Sequence, residues 1–236
     1  MTTDVPPRTV VVTGAGSGIG RLVAAALHAR GDRLVLVARD LTRADDLARE
    51  FPGSVPIVAD LARPEAIADA VAEAALPDRI DGVIHAAGVV SLGTVADLPL
   101  VAWTSQLAVN LVAPAELTRV LLPRLRAAHG QVLFVNSGAG LSAHPEWAAY
   151  AASKHGLKAL ADALRGEEAA HGVRVTSIYP GRTATPMQEE VHRQEGAPYD
   201  AERWIDPASV VAAILTAFDL PPDAVISDLT VRPGPR

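Results

Sequence analysis

Val10-Val11-Val12-Thr13-Gly14-Ala15-Gly16-Ser17-Gly18-Ile19-Gly20 decides the fold, because an apolar run passes straight into a glycine-rich turn and then into a helical pattern. The run does not alternate with polar residues, as expected of a strand covered on both faces. Glycines in the turn permit positive φ and close backbone approach. The helix opening at Gly18 offers unpaired N–H groups and a positive dipole end to a pyrophosphate. The spacing is Gly14-x-x-x-Gly18-x-Gly20, with Gly16 in addition. It departs from the G-x-G-x-x-G register, whose third glycine would fall on Ile19.

Outward from this turn, short Val/Ile/Leu-rich runs alternate with longer helical patterns. Strands are expected at Thr9–Thr13, Leu34–Ala38, Val55–Asp60, Gly82–Ala86, Val132–Asn136, Arg174–Tyr179 and Asp228–Val231. Helical patterns include Gly18–Arg30, Pro64–Ala75, Leu98–Arg126, Ala148–His171 and Pro207–Phe218. Pro114, inside the third of these, predicts a kink or break. This alternation implies an α/β fold, a Rossmann-type doubly wound parallel sheet of about seven strands with helices on both faces. No repeat or linker divides the chain, so residues 1–236 are expected to form one NAD(P)-binding domain. The stretch 185–206 lacks a clear core pattern and is expected to be a substrate-binding lid.

At 236 residues and 49% hydrophobic content the chain can bury a full core and is not disordered. A net charge of −6 gives no reason to expect a nucleic-acid or membrane partner. Without cysteine, disulfide and thiolate chemistry are excluded. Residues 1–7 lack a secretory signal, and no stretch reaches the roughly 20 apolar residues of a membrane span. A cytoplasmic location is the expectation. No His/Asp/Glu group has a convincing metal-ligand spacing.

Tyr150 and Lys154 stand four positions apart and so share one face of a helix. A phenol, with an unperturbed pKa of about 10, is a weak acid-base catalyst at neutral pH. A neighbouring ammonium favours the phenolate and should lower that pKa. With Ser137 thirteen residues before Tyr150, the three suggest a proton-handling centre beside the dinucleotide loop. At the end of the second strand, an acidic residue would bind ribose hydroxyls and an Arg would accommodate a 2′-phosphate. The chain has Ala38-Arg39-Asp40 there. Arg39 favours NADP(H), and Asp40 keeps NAD(H) open as the alternative.

Thr13-Gly14-x-x-x-Gly18-x-Gly20, Asp60, His85-Ala86-Ala87-Gly88, Asn110, Ser137, Tyr150-x-x-x-Lys154 and Pro180-Gly181-x-x-x-Thr185 occur in this order. Together they resemble the short-chain dehydrogenase/reductase family in its compact form, over nearly the whole chain. The resemblance implies that Asn110, Ser137, Tyr150 and Lys154 are catalytic. It also implies cofactor contacts from Thr13, Gly14, Gly16, Ser17, Gly18, Ile19 and Gly20 in the loop. Further contacts come from Arg39, Asp60 and Leu61, from Ala86, Ala87 and Gly88, and from Pro180, Gly181, Thr183 and Thr185. Asp60 would bind the adenine amino group and Thr185 the nicotinamide carboxamide. His85 stands where the family usually has Asn.

The implied reaction is hydride exchange between nicotinamide C4 and a small carbonyl or alcohol substrate. Tyr150 would protonate the alkoxide, and Lys154 would tune Tyr150 and bind the nicotinamide ribose. Ser137 would donate to the substrate oxygen, and Asn110 with water would return the proton to Lys154. The alternatives are a non-catalytic dinucleotide sensor and an epimerase or dehydratase of the larger related branch. His144, Trp147 and Trp204 are further candidates to border the substrate. A homodimer or homotetramer is expected through the helices of 98–126 and 148–171.

Overall fold

The computed structural model describes residues 7–235; residues 1–6, most of the segment read above for a secretory signal, lie outside the described residues. The first half of the chain runs β1 (Thr9–Thr13), α1 (Gly18–Ala29), β2 (Arg33–Ala38), α2 (Leu41–Glu50), β3 (Val55–Val58), α3 (Ile67–Glu73) and β4 (Gly82–His85). It continues with α4 (Leu100–Leu107), α5 (Ala113–Ala128), β5 (Gln131–Val135), α6 (Ala148–Glu168) and β6 (Arg174–Pro180). The last elements are α7 (Pro186–Glu195), α8 (Pro207–Phe218) and β7 (Asp228–Val231).

Seven strands form one sheet in the order β3-β2-β1-β4-β5-β6-β7, with every neighbouring pair parallel. This is the doubly wound α/β fold expected from the sequence. Alternate residues of one strand feed opposite layers. Val10 and Val12 pack with Val23 and Leu27 of α1, Leu47 of α2 and Ile214 of α8. Val11, Val35 and Val37 pack instead with Val71 of α3, Leu117 and Leu121 of α5 and Leu157 of α6. Both faces are therefore apolar, which is why the strands read as unbroken hydrophobic runs. The chain leaves β1 toward β2 and β3, then returns to β4 on the other side. That reversal opens a crevice beyond the carboxyl ends of β1 and β4.

β1 and β7 have the expected boundaries and the other strands differ by one or two residues, while the Pro64–Ala75 pattern divides into a 3-10 turn, Pro64–Ala66, followed by α3. The Leu98–Arg126 pattern also divides. A π-helical turn, Ala108–Val112, joins α4 to α5, and the Ala113 N–H reaches back to the Ala108 carbonyl. Pro114 has no N–H for the carbonyl four residues before it, which is that of Asn110. The break expected at Pro114 is thus realised as a wide turn at Asn110.

Two helices depart from the sequence reading. The sequence pattern gives no helix at α2, and α7 fills the first half of the 185–206 stretch expected to be an irregular lid. Both are weakly apolar. In α2 only Ala44 and Leu47 are buried, and in α7 only Gln188, Val191 and His192. Among the described residues, no helix is long and apolar enough to cross a membrane.

Candidate active site

A cleft of about 1340 Å³ lies over the carboxyl ends of the strands. Its floor is the glycine turn. Gly14 has φ +73°, and a Cβ there would stand 2.8 Å from the Ala87 nitrogen and 2.9 Å from the Ala86 carbonyl, so β1 and β4 can approach only with glycine at this position. Thr13 completes the join, its Oγ1 accepting from the N–H groups of Ala86 and Ala87, each at 3.0 Å. Ser17 is the N-cap of α1, yet its side chain makes no capping bond and the first turn holds no acid. The helix thus presents unclaimed N–H donors and an uncompensated dipole to the cleft. These are features an anionic pyrophosphate fits.

Ser137, Tyr150 and Lys154 converge on the cleft wall. Ser137 follows β5 in extended conformation, and its Oγ accepts from the Ala139 N–H at 3.1 Å. One lone pair is therefore engaged, and the hydroxyl also faces the Tyr150 phenol in a sense that favours the phenolate. Asn136 sets this geometry. Its Oδ1 accepts from the Ser137 N–H at 2.8 Å, and its Nδ2 donates to the Lys154 carbonyl at 3.1 Å. Asn136 is buried, as are Tyr150 and Lys154, and Trp147 meets the Tyr150 ring edge-on at 5.7 Å between centroids.

Burial pushes the Tyr150 phenol above its ordinary pKa of 10.0, with the Ser137 side chain acting in the opposite sense. Burial also pulls the Lys154 ammonium down from 10.5 to about 8. The lowering of the Tyr150 pKa expected from Lys154 is not what this geometry gives. The Lys154 Nζ donates to the Val135 carbonyl at 3.1 Å and stands 5.8 Å from the phenol ring centroid. At that placement desolvation outweighs the ammonium's field.

Three of the residues expected at the site lie behind the wall of the cleft rather than on it. Thr13 acts through the β1–β4 join described above. Gly20 packs α1 against the Gly14 carbonyl, where a Cβ would collide. Asn110 is buried in the π turn: its Oδ1 accepts from the Val89 N–H at 2.9 Å, and its Nδ2 donates to the Val89 carbonyl and to Ser153 Oγ. The other expected residues all line the cleft, from Gly14 and Gly16 through Leu61 and Gly88 to Thr183 and Thr185. His85, also off the wall, bonds Thr118 Oγ1 at 2.9 Å and stacks on Phe134 at 5.0 Å. Burial depresses its pKa from 6.5 to about 3, so it is a neutral packing residue.

The family model described as short chain dehydrogenase matches residues 8–196. The chain belongs to the short-chain dehydrogenase/reductase family. It is 36% identical over 202 residues to mouse dehydrogenase/reductase SDR family member 7B, covering 81% of this chain and 62% of that relative's length. An uncharacterized short-chain type dehydrogenase/reductase y4eK of Sinorhizobium fredii is 30% identical over 228 residues, covering 94% of this chain and 90% of that one. A chain from Escherichia coli CFT073 solved in complex with NADPH shares 26% identity, with a TM-score of 0.82 over 94% of this chain and 95% of that one. The protein is accordingly an NAD(P)-binding oxidoreductase of the short-chain dehydrogenase/reductase family.

In this short-chain dehydrogenase/reductase, the half of the cleft beside β2 and β3 carries both signs of charge. Arg39 is 80% exposed at its side chain and pairs with Asp40 at 3.1 Å. Asp40 is the N-cap of α2 and accepts from the Arg43 N–H at 2.7 Å, a bond that holds its carboxyl below the usual range. The sequence reading missed Arg43. Its guanidinium donates to the Gly16 carbonyl at 2.5 Å and would collide with any Cβ at Gly16. Only the pairing of Asp40 with a residue three positions on hinted at a helix start that would turn Arg43 toward the loop. Asp60 accepts from the Ala62 N–H at 2.9 Å through Oδ1.

The other half, beside β5 and β6, is walled by His144, Trp147, Arg182, Thr185, Met187 and Arg232, among others. Thr185 caps α7, its Oγ1 accepting from the Gln188 N–H at 3.3 Å. Arg182 lies between Trp147 and Trp204, 5.7 and 5.3 Å from their ring centroids, and forms a two-bond pair with Glu195 at the end of α7. Trp204 is outside the cleft wall and packs on His192 at 5.2 Å. Trp147 lies where it was expected, while Arg182 and Arg232 were not singled out from the sequence.

Proposed function

We propose that the protein transfers hydride between NADP(H) and a small carbonyl or alcohol substrate, with Tyr150 as general acid/base. The observation that carries this reading is the joint placement of Ser137, Tyr150 and Lys154 on one wall of a cleft whose floor is an uncapped helix start. When bound, the nicotinamide supplies or accepts the hydride. The residues of the chain do the rest. Ser137 donates its hydroxyl hydrogen to the substrate oxygen, where negative charge grows in the transition state. Tyr150 gives its phenolic proton to that oxygen in reduction and takes it back in oxidation. Lys154 holds positive charge beside the phenol and binds the cofactor ribose. Asn110, fixed to Val89 and Ser153, offers a backbone carbonyl that Pro114 leaves without an α-helical partner, a position suited to a water on the proton path.

Arg39 and Arg43 support NADP(H) over NAD(H), since together they bring two guanidiniums to the end of β2 where Ala38 replaces an acid. Asp40, the residue favouring NAD(H), is already committed to the α2 cap and to Arg39. The segment 185–206 forms the flap over the substrate half, held to the Pro180 turn by the Arg182–Glu195 pair. Leu100, Val101 and Val112 are exposed on the α4–α5 run, and they support a homodimer or homotetramer assembled through it.

A fluorescence titration with NADPH and NADH, followed by turnover of a carbonyl panel by the parent protein and Tyr150→Phe, tests the reading. NADPH should bind more tightly, and the variant should bind it normally while losing nearly all turnover. Retained turnover in Tyr150→Phe would remove Tyr150 from the mechanism, and binding of neither cofactor by the folded protein would remove the oxidoreductase reading itself.

A further inference from the structure

The carboxylates of the cleft are confined to one end, where Arg39 and Arg43 accompany them. These carboxylates, Asp40, Asp46 and Asp60, all belong to the end beside β2 and β3. At the substrate end the ionisable lining groups, apart from the Tyr150 phenol, are His144, Lys154, Arg182 and Arg232, and none is acidic. This segregation occurs in a chain whose net charge is −6. Two of the cations are already engaged: Lys154 donates to the Val135 carbonyl, and Arg182 forms a two-bond pair with Glu195.

Arg232 is different. It follows β7 directly, and its guanidinium lies over Gly138, where a Cβ would stand 3.0 Å from Nη1. Gly138 is the neighbour of Ser137, so the guanidinium sits on the same stretch of wall as the proposed substrate-oxygen donor. Arg232 is exposed, and among the described residues no ion pair or hydrogen bond engages its guanidinium, unlike that of Arg182 in the same half of the cleft. The donors of Arg232 thus lie free at the rim of the cleft, next to the Ser137–Gly138 wall. A planar guanidinium with its donors unclaimed is suited to a two-bond grip on a planar oxyanion.

We propose that the substrate carries an oxyanion, of the carboxylate type, in addition to the reacting carbonyl or alcohol, and that Arg232 binds it. The inference rests on the oxidoreductase reading above and specifies its substrate class. Gripping the anion at Arg232 fixes one end of the substrate and leaves the other facing Ser137 and Tyr150. His144, exposed on the adjoining loop, adds no opposing charge.

Two matched pairs of carbonyl compounds test it: acetoacetate with its ethyl ester, and 4-carboxybenzaldehyde with its methyl ester. Binding is measured by calorimetry to the protein saturated with NADP⁺, where no reduction can occur, so the result does not depend on turnover. At least one acid should bind about tenfold or more tightly than its ester, a charge-assisted preference. Arg232→Gln should abolish that preference and Arg232→Lys should restore part of it. Acids that bind no better than their esters, or not at all, overturn the proposal, as does an Arg232→Gln variant that keeps the preference. Consumption of NADPH with the same compounds reports separately on the oxidoreductase reading.

Discussion

The side-chain amide of Asn136 donates to the main-chain carbonyl of Lys154 at 3.1 Å, tying the end of β5 to the helix that carries both Tyr150 and Lys154. The same side chain accepts from the Ser137 N–H, so one buried residue sets the spacing of all three proposed catalytic groups. Asn136→Ala should destabilise the fold by about 1–3 kcal/mol through an orphaned buried carbonyl and N–H. It should also lower kcat by about tenfold or more, because small misplacements of reacting groups are costly. NADPH affinity should change far less. Equal losses in kcat and in NADPH binding would assign Asn136 a general structural role instead.

Arg39 and Arg43 should contribute differently to cofactor choice. Arg39 is exposed and touches only Asp40, so Arg39→Asp should weaken NADPH by about tenfold and leave NADH little affected. Arg43 also braces the Gly16 carbonyl, so Arg43→Ala should weaken both cofactors. Titration of each variant with the two cofactors checks this, and unchanged selectivity in Arg39→Asp would exclude a 2′-phosphate contact there.

His85 should make the protein sensitive to acid. Its pKa is about 3 in the folded chain and 6.5 when unfolded, because burial disfavours the charged ring. Below pH 6.5 the unfolded chain therefore binds a proton that the folded chain refuses, and stability falls with pH down to about 3. At pH 5 this one group removes about 2 kcal/mol. In His85→Asn, denaturant melts between pH 7 and 5 should show a correspondingly shallower decline.

Lys154 should act in the opposite pH range. Its pKa falls from 10.5 to about 8 on folding, so between those values the unfolded chain holds a proton the folded chain has released. Stability of the cofactor-free protein should rise with pH across that window. Lys154→Met should be more stable than the parent at pH 7, by about 1–3 kcal/mol, while losing turnover. A less stable Lys154→Met would show that the bond to the Val135 carbonyl outweighs the desolvation of the ammonium.

Legibility in the sequence followed how each element is buried. β1 and β5 are covered on both faces, and their apolar runs located them to within a residue; β6, interrupted by the buried Thr176 and Ser177, was located as closely. α2 and α7 were not legible, because each buries only two or three residues. In α7 two of the three are Gln188 and His192, which satisfy each other by hydrogen bonding instead of adding to an apolar stripe. The cleft wall was legible wherever a residue's type fixed its task, as at Gly14, Ser137, Tyr150 and Lys154. Asn136, Arg43, Arg182 and Arg232 were not, since their placement depends on contacts across 10 or more residues of sequence. Thr185 shows that two readings can hold at once: it caps α7 and also lines the cleft.

The uncapped start of α1 bears on how this protein is handled at the bench. Donors left open for a pyrophosphate do not distinguish it sharply from other multivalent oxyanions, so inorganic phosphate and sulfate compete for the same backbone. Coenzyme affinities read in phosphate buffer should be weaker than those read in a zwitterionic buffer of equal ionic strength. The same salts should raise the melting temperature of the cofactor-free protein more than that of the protein saturated with coenzyme, where only their general stabilising effect remains.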